Sequence, residues 1–288
     1  MRSPRAMPPS QRARPDARHR EFVHADALAR DPLRFAHRYT DPLDRELVAL
    51  LSALMAFGRV EIIGNKLTEL LGLLGPSPSH TARTLPPDAL ARALRSFRHR
   101  TFAGADIAAL LSAAGALQSR DGRLLASLEA RFIQHGALRP ALAAWVGELR
   151  TRAFGPSPTR AQRHLLPDPE GPSASKRLLL FLRWVTRSDQ GDLGLAALPT
   201  SALIVPLDVH VHRIAQNLGL TARNDASWRT AEEVTDALRE LSADDPVRYD
   251  MAVCHFGING DCPSKRDALR CEGCALKPAC VWWERRRR

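Results

Sequence analysis

The chain has 288 residues, 44% of them hydrophobic, and 42 Lys plus Arg against 31 Asp plus Glu, giving a net charge of +11. That length supplies one large domain or two modest ones with a core, and no run of about 18 apolar residues is present to span a membrane. The positive balance points to a polyanionic partner, most commonly nucleic acid; the bland alternative is charge that only aids solubility.

Residues 1–20, MRSPRAMPPSQRARPDARHR, are rich in Arg, Pro and Ser and poor in apolar side chains. Such a stretch buries too little surface to offset ordering entropy, which predicts a disordered basic tail. With no apolar core behind its charges it does not read as a secretory signal. A cytoplasmic location follows, where clustered cysteines are more often metal ligands or redox groups than disulfides.

From Asp41 onward the apolar residues recur at helical spacing. DRELVALLSALMAF reads as a helix with Asp41 or Asp44 as its cap, and IIGNKLTELLGLLG as a second that stops at Gly75-Pro76. Helical runs continue through PDALARALRSF, AGADIAALLSAAGAL, GRLLASLEARFIQ and RPALAAWVGELRTRAF. GPSPTRAQRHLLPDPEGPS is Pro-rich and breaks the pattern. After it ASKRLLLFLRWVTR, LDVHVHRIAQNLG, TAEEVTDALRELS and DPVRYDMAVCHFGI are all helical, and Trp184 is expected in the core. The only β-like piece is LIVP, Leu203 to Pro206. The fold class is therefore all-α, with many short helices.

Two compositional facts single out residues. Lysine occurs only at Lys66, Lys176, Lys265 and Lys277, the other basic residues being arginine. A lysine kept in such a chain can do what arginine cannot, namely act as an amine nucleophile. The second is the C-terminal grouping of Cys262, Cys271, Cys274 and Cys280, with gaps of eight, two and five residues. Four thiolates on so short a loop can converge on one centre, either structural Zn2+ or an iron–sulfur cluster. Cys254 falls on the apolar face of its helix and reads as a packing residue.

The order LDVHVHRIAQNLGL, AEEV, YDMAVCHFGINGDC, CEGCALKPAC resembles the C-terminal half of the helix–hairpin–helix DNA glycosylases, the endonuclease III superfamily. The resemblance is closest over Ile204 to Cys280 and weaker over Ser52 to Gly75. KRLLLFLRWVTR with IVPLDVHVHR looks more specifically like the DUF2400 family. The resemblance implies a two-lobed glycosylase fold. Its helical barrel, residues 40–190, would carry an atypical hairpin, and its second lobe would comprise residues 21–39 and 191–288, with the cysteine loop at 262–280.

It further implies a function: a base-excision glycosylase with AP-lyase activity on an oxidised base, 8-oxoguanine first. Its partner would be double-stranded DNA carrying a damaged base or an abasic site, and the protein would be a monomer associated with the nucleoid. Asp208, at a helix start, would be the catalytic carboxylate; alone, it could equally be a helix cap. Lys176 would be the Schiff-base nucleophile, its pKa lowered by the apolar helix behind it and by Arg177. Cys262, Cys271, Cys274 and Cys280 would hold a [4Fe-4S] cluster. The first gap is usually six residues rather than eight, which keeps Zn2+ open.

DNA contacts are implied as well. Phe57 and Arg59 fall where the superfamily keeps its intercalating loop, and Phe97, His99 and Phe102 are further candidates for the wedge or base pocket. LLPDPEGPSASK, Leu165 to Lys176, stands where the superfamily has a two-glycine hairpin; Gly171 would offer an N–H to phosphate, with Ser173, Ser175 and Arg177 beside it. Arg213 is expected to meet a phosphate or a carboxylate, and Lys265, Arg266 and Arg270 to face phosphate. His210 is expected to support the fold, and Trp282 and Trp283 to cover the cysteine loop. The altered hairpin favours a second possibility, a non-catalytic reader of DNA damage or structure on the same scaffold.

Overall fold

The computed structural model describes residue 28, residues 30–263 and residues 267–285. The expected basic tail at 1–20, and Lys265 and Arg266, lie outside the described residues. The described chain is mostly helical, as its periodicity requires. It divides into two compact units. The larger holds Leu28–Gly171 and Leu180–Leu198; the smaller holds Pro172–Leu179 and the described chain from Pro199 onward.

In the larger unit a 3-10 turn, Pro32–Arg38, starts at Asp31, whose side chain accepts from the Leu33 N–H at 2.8 Å. Its Leu33, Phe35 and Ala36 are fully buried and pack on α1 (Pro42–Met55). The sequence assigns residues 21–39 to the C-terminal lobe. These three apolar side chains instead anchor the described part of that stretch to the larger unit.

Asp41 caps α1 by accepting from Leu43 N–H at 2.7 Å, with Pro42 preset at the first helical position. From Glu46 to Met55 every residue of α1 is buried, which makes it the central helix of its unit. Around it run α2 (Val60–Leu74), α3 (Pro78–Thr84), α4 (Pro87–Ala93), α5 (Gly104–Asp121), α6 (Leu124–His135), α7 (Leu138–Phe154) and α8 (Arg160–Leu165). The two buried carboxylates of α1 serve other helices. Asp44 accepts from Ser79 N–H at 2.7 Å at the start of α3. Glu46 accepts from the N–H groups of Leu124 and Leu125, the first two residues of α6. Burial pushes the Glu46 carboxyl up despite those donors.

Glycine permits a close helix contact. A Cβ on Gly115 of α5 would lie 2.2 Å from the Ala82 carbonyl oxygen of α3. The β structure differs from expectation: it is a hairpin of β1 (Arg98–His99) and β2 (Phe102–Ala103), pairing Arg98 with Ala103 and His99 with Phe102. LIVP stays extended but unpaired with a strand, its Val205 N–H donating to Thr235 Oγ1 at 3.0 Å. The Pro-rich break contains α8, started by a reciprocal cap between Thr159 and Gln162.

The smaller unit begins α9 (Lys176–Thr186) and contains α10 (Val209–Asn217), α11 (Trp228–Arg239), α12 (Asp250–Ile258), α13 (Ala268–Glu272) and α14 (Val281–Arg285). Val211, Ile214, Trp228, Val234, Leu238, Met251 and Phe256 form its core, each large apolar side chain contributing about 1.5–3 kcal/mol when buried. α10 lies against α12. Their contact needs Gly257, where a Cβ would come within 2.6 Å of the His210 Cβ. His210 is thus packed against α12 at that glycine.

Candidate active site and four-cysteine cavity

Asp208 precedes α10 in an extended conformation and uses its two carboxylate oxygens differently. Oδ1 accepts from the N–H groups of His210 and Val211, each at 2.9 Å. Oδ2 faces Lys176, whose Nζ stands 3.3 Å away. Helix cap and charge partner are thus one residue, with one oxygen for each task. The side chains are 32% exposed for Lys176 and 16% for Asp208, so the pair lies at the rim of the unit rather than sealed inside it.

Lys176 opens α9 directly after Ser175, a buried residue at φ 50°. A non-glycine residue in that left-handed region stores backbone strain. The Ser175 carbonyl accepts from Leu178 and Leu179 N–H at 2.9 and 3.2 Å, which fixes where α9 starts and hence where the lysine projects.

α12 supplies two groups that the sequence reading did not place in the site. The Cys254 thiol donates to Asp208 Oδ2 at 3.7 Å, and Cys254 is half-buried. It is not the plain packing cysteine expected. Asp250, one helical turn earlier, is buried. The i, i+4 spacing on one helix face was the signal available for both.

These neighbours correct the expected electrostatics of Lys176. Burial lowers its pKa, but the charges of Asp208, Cys254 and Asp250 outweigh burial and hold the amine above its ordinary value. For Asp208, burial acts upward, but the Lys176 ammonium and the Val211 N–H bring the carboxyl below its ordinary value. The resting pair is an ammonium and a carboxylate.

The four cysteines also come together. Cys262, Cys271, Cys274 and Cys280 line one cavity of about 200 Å³, with Arg213, Asn217 and both Trp282 and Trp283 in its wall. Asn217 Nδ2 donates to Cys262 Sγ at 3.3 Å. Burial raises the Cys274 thiol, opposed by the N–H groups of Leu276 and Lys277. Among the described residues no three His, Cys, Asp or Glu side chains stand close enough to hold a single metal ion.

The other expected site residues fare unevenly. Arg177 is 8% exposed, with its pKa lowered to about 10 by burial, so it does not present itself to a phosphate. Ser175 is buried too. Exposed Ser173 accepts from Ser175 N–H at 3.3 Å. The Gly171 N–H, expected to face phosphate, donates to the Asp168 carbonyl at 3.0 Å. Arg213 donates to the Cys262 carbonyl at 2.6 Å, which braces the cysteine loop. Arg270 donates to the Gly260 carbonyl at 3.1 Å yet stays 61% exposed.

In the larger unit Phe57 is half-buried against His99, Phe102 and His164, with ring centroids 4.8 to 5.1 Å apart. Phe97, His99 and Phe102 are core residues, 2% exposed or less, and cannot serve as wedges as they stand. Arg59 is exposed at the start of α2.

The class these features define is a helical two-unit protein with an amine–carboxylate pair and a four-cysteine cavity. Residues 31–259 match the family described as "Protein of unknown function (DUF2400)". The chain belongs to that family. The match stops short of Cys262, so the cysteine loop lies beyond it. No curated protein and no solved structure matches the chain. Among the described residues no helix is long and apolar enough to cross a membrane.

Proposed function

We propose that the chain is a base-excision DNA glycosylase with AP-lyase activity, acting on an oxidised base in double-stranded DNA. The Lys176–Asp208 pair, 3.3 Å apart, carries this reading. An amine beside a carboxylate at an exposed rim is the arrangement that Schiff-base chemistry on a sugar needs. The net charge of +11 supports a nucleic-acid partner.

In the proposed reaction the nucleotide is rotated out of the duplex. The neutral Lys176 amine attacks the sugar C1′; the N–C bond forms as the glycosidic C–N bond breaks. The base leaves with that electron pair and takes up a proton. Asp208 stabilises the positive charge that develops on the sugar. The lysine–sugar adduct opens to a Schiff base, C2′ loses a proton, and the 3′ phosphate departs by β-elimination. Because the resting lysine is an ammonium, the attacking form is a minor population whose share rises with pH.

The four cysteines are the proposed ligands of a [4Fe-4S] cluster, with Zn2+ as the alternative. These sulfurs line one cavity of about 200 Å³ together with Arg213, Asn217 and both tryptophans. When bound, the cluster would supply a covalent cross-link among Cys262, Cys271, Cys274 and Cys280. Arg213 and Asn217 would hold that loop to α10.

Two observations favour the second reading, a non-catalytic reader of damaged DNA. The Lys176 amine is raised rather than lowered, and the Gly171 N–H is engaged within the chain. Release of 8-oxoguanine and nicking at abasic sites separate the two. Wild type releasing base or nicking the strand, with Asp208→Asn slowed by about 100-fold or more, supports the enzyme. Tight duplex binding with neither product supports the reader.

A further inference from the structure

We infer that Cys254 is a positioning residue for the Asp208 carboxylate. Its Sγ lies 3.7 Å from Oδ2, the oxygen that also faces the Lys176 ammonium. Oδ1 is already committed to two backbone N–H groups. Oδ2 therefore has two side-chain donors, one charged and one neutral. As long as Lys176 is protonated, the ammonium dominates. Once bond formation to a sugar takes the lysine away from Oδ2, the thiol keeps a donor on that oxygen.

A largely buried carboxylate that loses its cation gains a proton more readily, because nothing then offsets its desolvation. The thiol is a weak donor, but it is fixed by α12 rather than brought by solvent. The groups facing Asp208 are Lys176 from α9, His210 on its own helix and Cys254 from α12, while Asp250 of α12 acts on the same lysine. Of these, only Cys254 is a neutral side-chain donor to Oδ2. The thiol thus holds Asp208 ionised and oriented at the moment its charge is needed. The catalytic part of this inference rests on the function proposed above; the electrostatic part does not.

The test uses the full-length chain and two readouts. The first is the acid-unfolding midpoint of Cys254→Ala and Cys254→Ser, each made in wild type and in Asp208→Asn. Cys254→Ala is expected to move the midpoint to higher pH by about half a unit in wild type, the size of a weak hydrogen bond. Cys254→Ser, which keeps a donor, is expected to restore it. In Asp208→Asn the Cys254→Ala change should leave the midpoint in place. Equal shifts in both backgrounds, or no shift, overturn the inference, because a packing loss alone does not depend on the carboxylate. The second readout is the pH profile of borohydride trapping on an abasic duplex. At each pH below the alkaline rise, trapping should be slower in Cys254→Ala and recover in Cys254→Ser; an unchanged rate in Cys254→Ala would overturn the catalytic part. A wild type that never traps would sink the proposed function, while the unfolding cycle would still decide the role of Cys254.

Discussion

Lys176 Nζ and Asp208 Oδ2 stand 3.3 Å apart, at the starts of two different helices. The strained Ser175 sets the first helix start. The carboxylate sets the second, because its other oxygen is the helix cap. Removing Asp208 therefore costs the fold a cap and the site a charge together, and Asp208→Asn, which keeps one oxygen acceptor, is the variant that isolates the charge.

The pair makes stability depend on pH in two windows of opposite sign. The folded pKa of Asp208 lies below its ordinary value of 3.8, so its contribution is present above that value and is lost as pH falls through the folded pKa. The folded pKa of Lys176 lies above 10.5, so its contribution is present below that value and is lost as pH rises through the folded pKa. Thermal midpoints of Lys176→Met and wild type, compared from acid to alkali, should differ by a constant amount between these limits. The difference should shrink outside them. A gap that instead grows toward alkali would contradict the assignment.

Cys271→Ser should lose the brown chromophore of an iron–sulfur protein and much of its soluble yield. One sulfur of four that border a shared cavity would be gone. Visible absorbance and iron analysis read the outcome. A soluble, brown mutant with full iron content would remove Cys271 from the ligand set, and colourless wild type carrying zinc would replace the cluster.

Helix packing in the larger unit makes a paired prediction. Gly115→Ala should destabilise by about 1–3 kcal/mol, the usual penalty for overpacking, because its Cβ would meet the Ala82 backbone oxygen at 2.2 Å, an atom that no rotamer change can move. Gly72→Ala, also within a helix but with nothing within 4 Å of the new Cβ, should stabilise by about 0.5–1 kcal/mol. Denaturant midpoints measure both. Equal effects at the two positions would argue against the close approach of α3 and α5.

Much of the fold was legible because the signals were local. The helices α1 and α2 followed from apolar periodicity, the Asp41 cap and Gly75. The buried Trp184 followed from the apolar run around it. α8 was passed over because Pro and Ser flank it, although Thr159 and Gln162 spell a capping box. The site was half legible. Lys176 and Asp208 were singled out by lysine scarcity and by the motif around Asp208. The direction of the lysine's pKa was not legible, since it depends on charges that only tertiary packing delivers from α10 and α12. Cys254 looked like packing for the same reason: Met251, Val253 and Phe256 around it are apolar, and the carboxylate it meets is remote in the chain. His99 and Phe102 read as wedges because the sequence does not reveal that a short hairpin buries them.

Borohydride trapping on duplexes carrying an abasic site or 8-oxoguanine tests the central claim most directly. Wild type is run beside Lys176→Ala and Asp208→Asn, with the N-terminal amine blocked. The account predicts a covalent adduct in wild type that is absent in Lys176→Ala. It predicts that trapping rises toward alkaline pH, and that the rise begins at lower pH in Asp208→Asn, where the carboxylate no longer raises the amine. An adduct that persists in Lys176→Ala, or no adduct from wild type on either duplex despite tight binding, would contradict it.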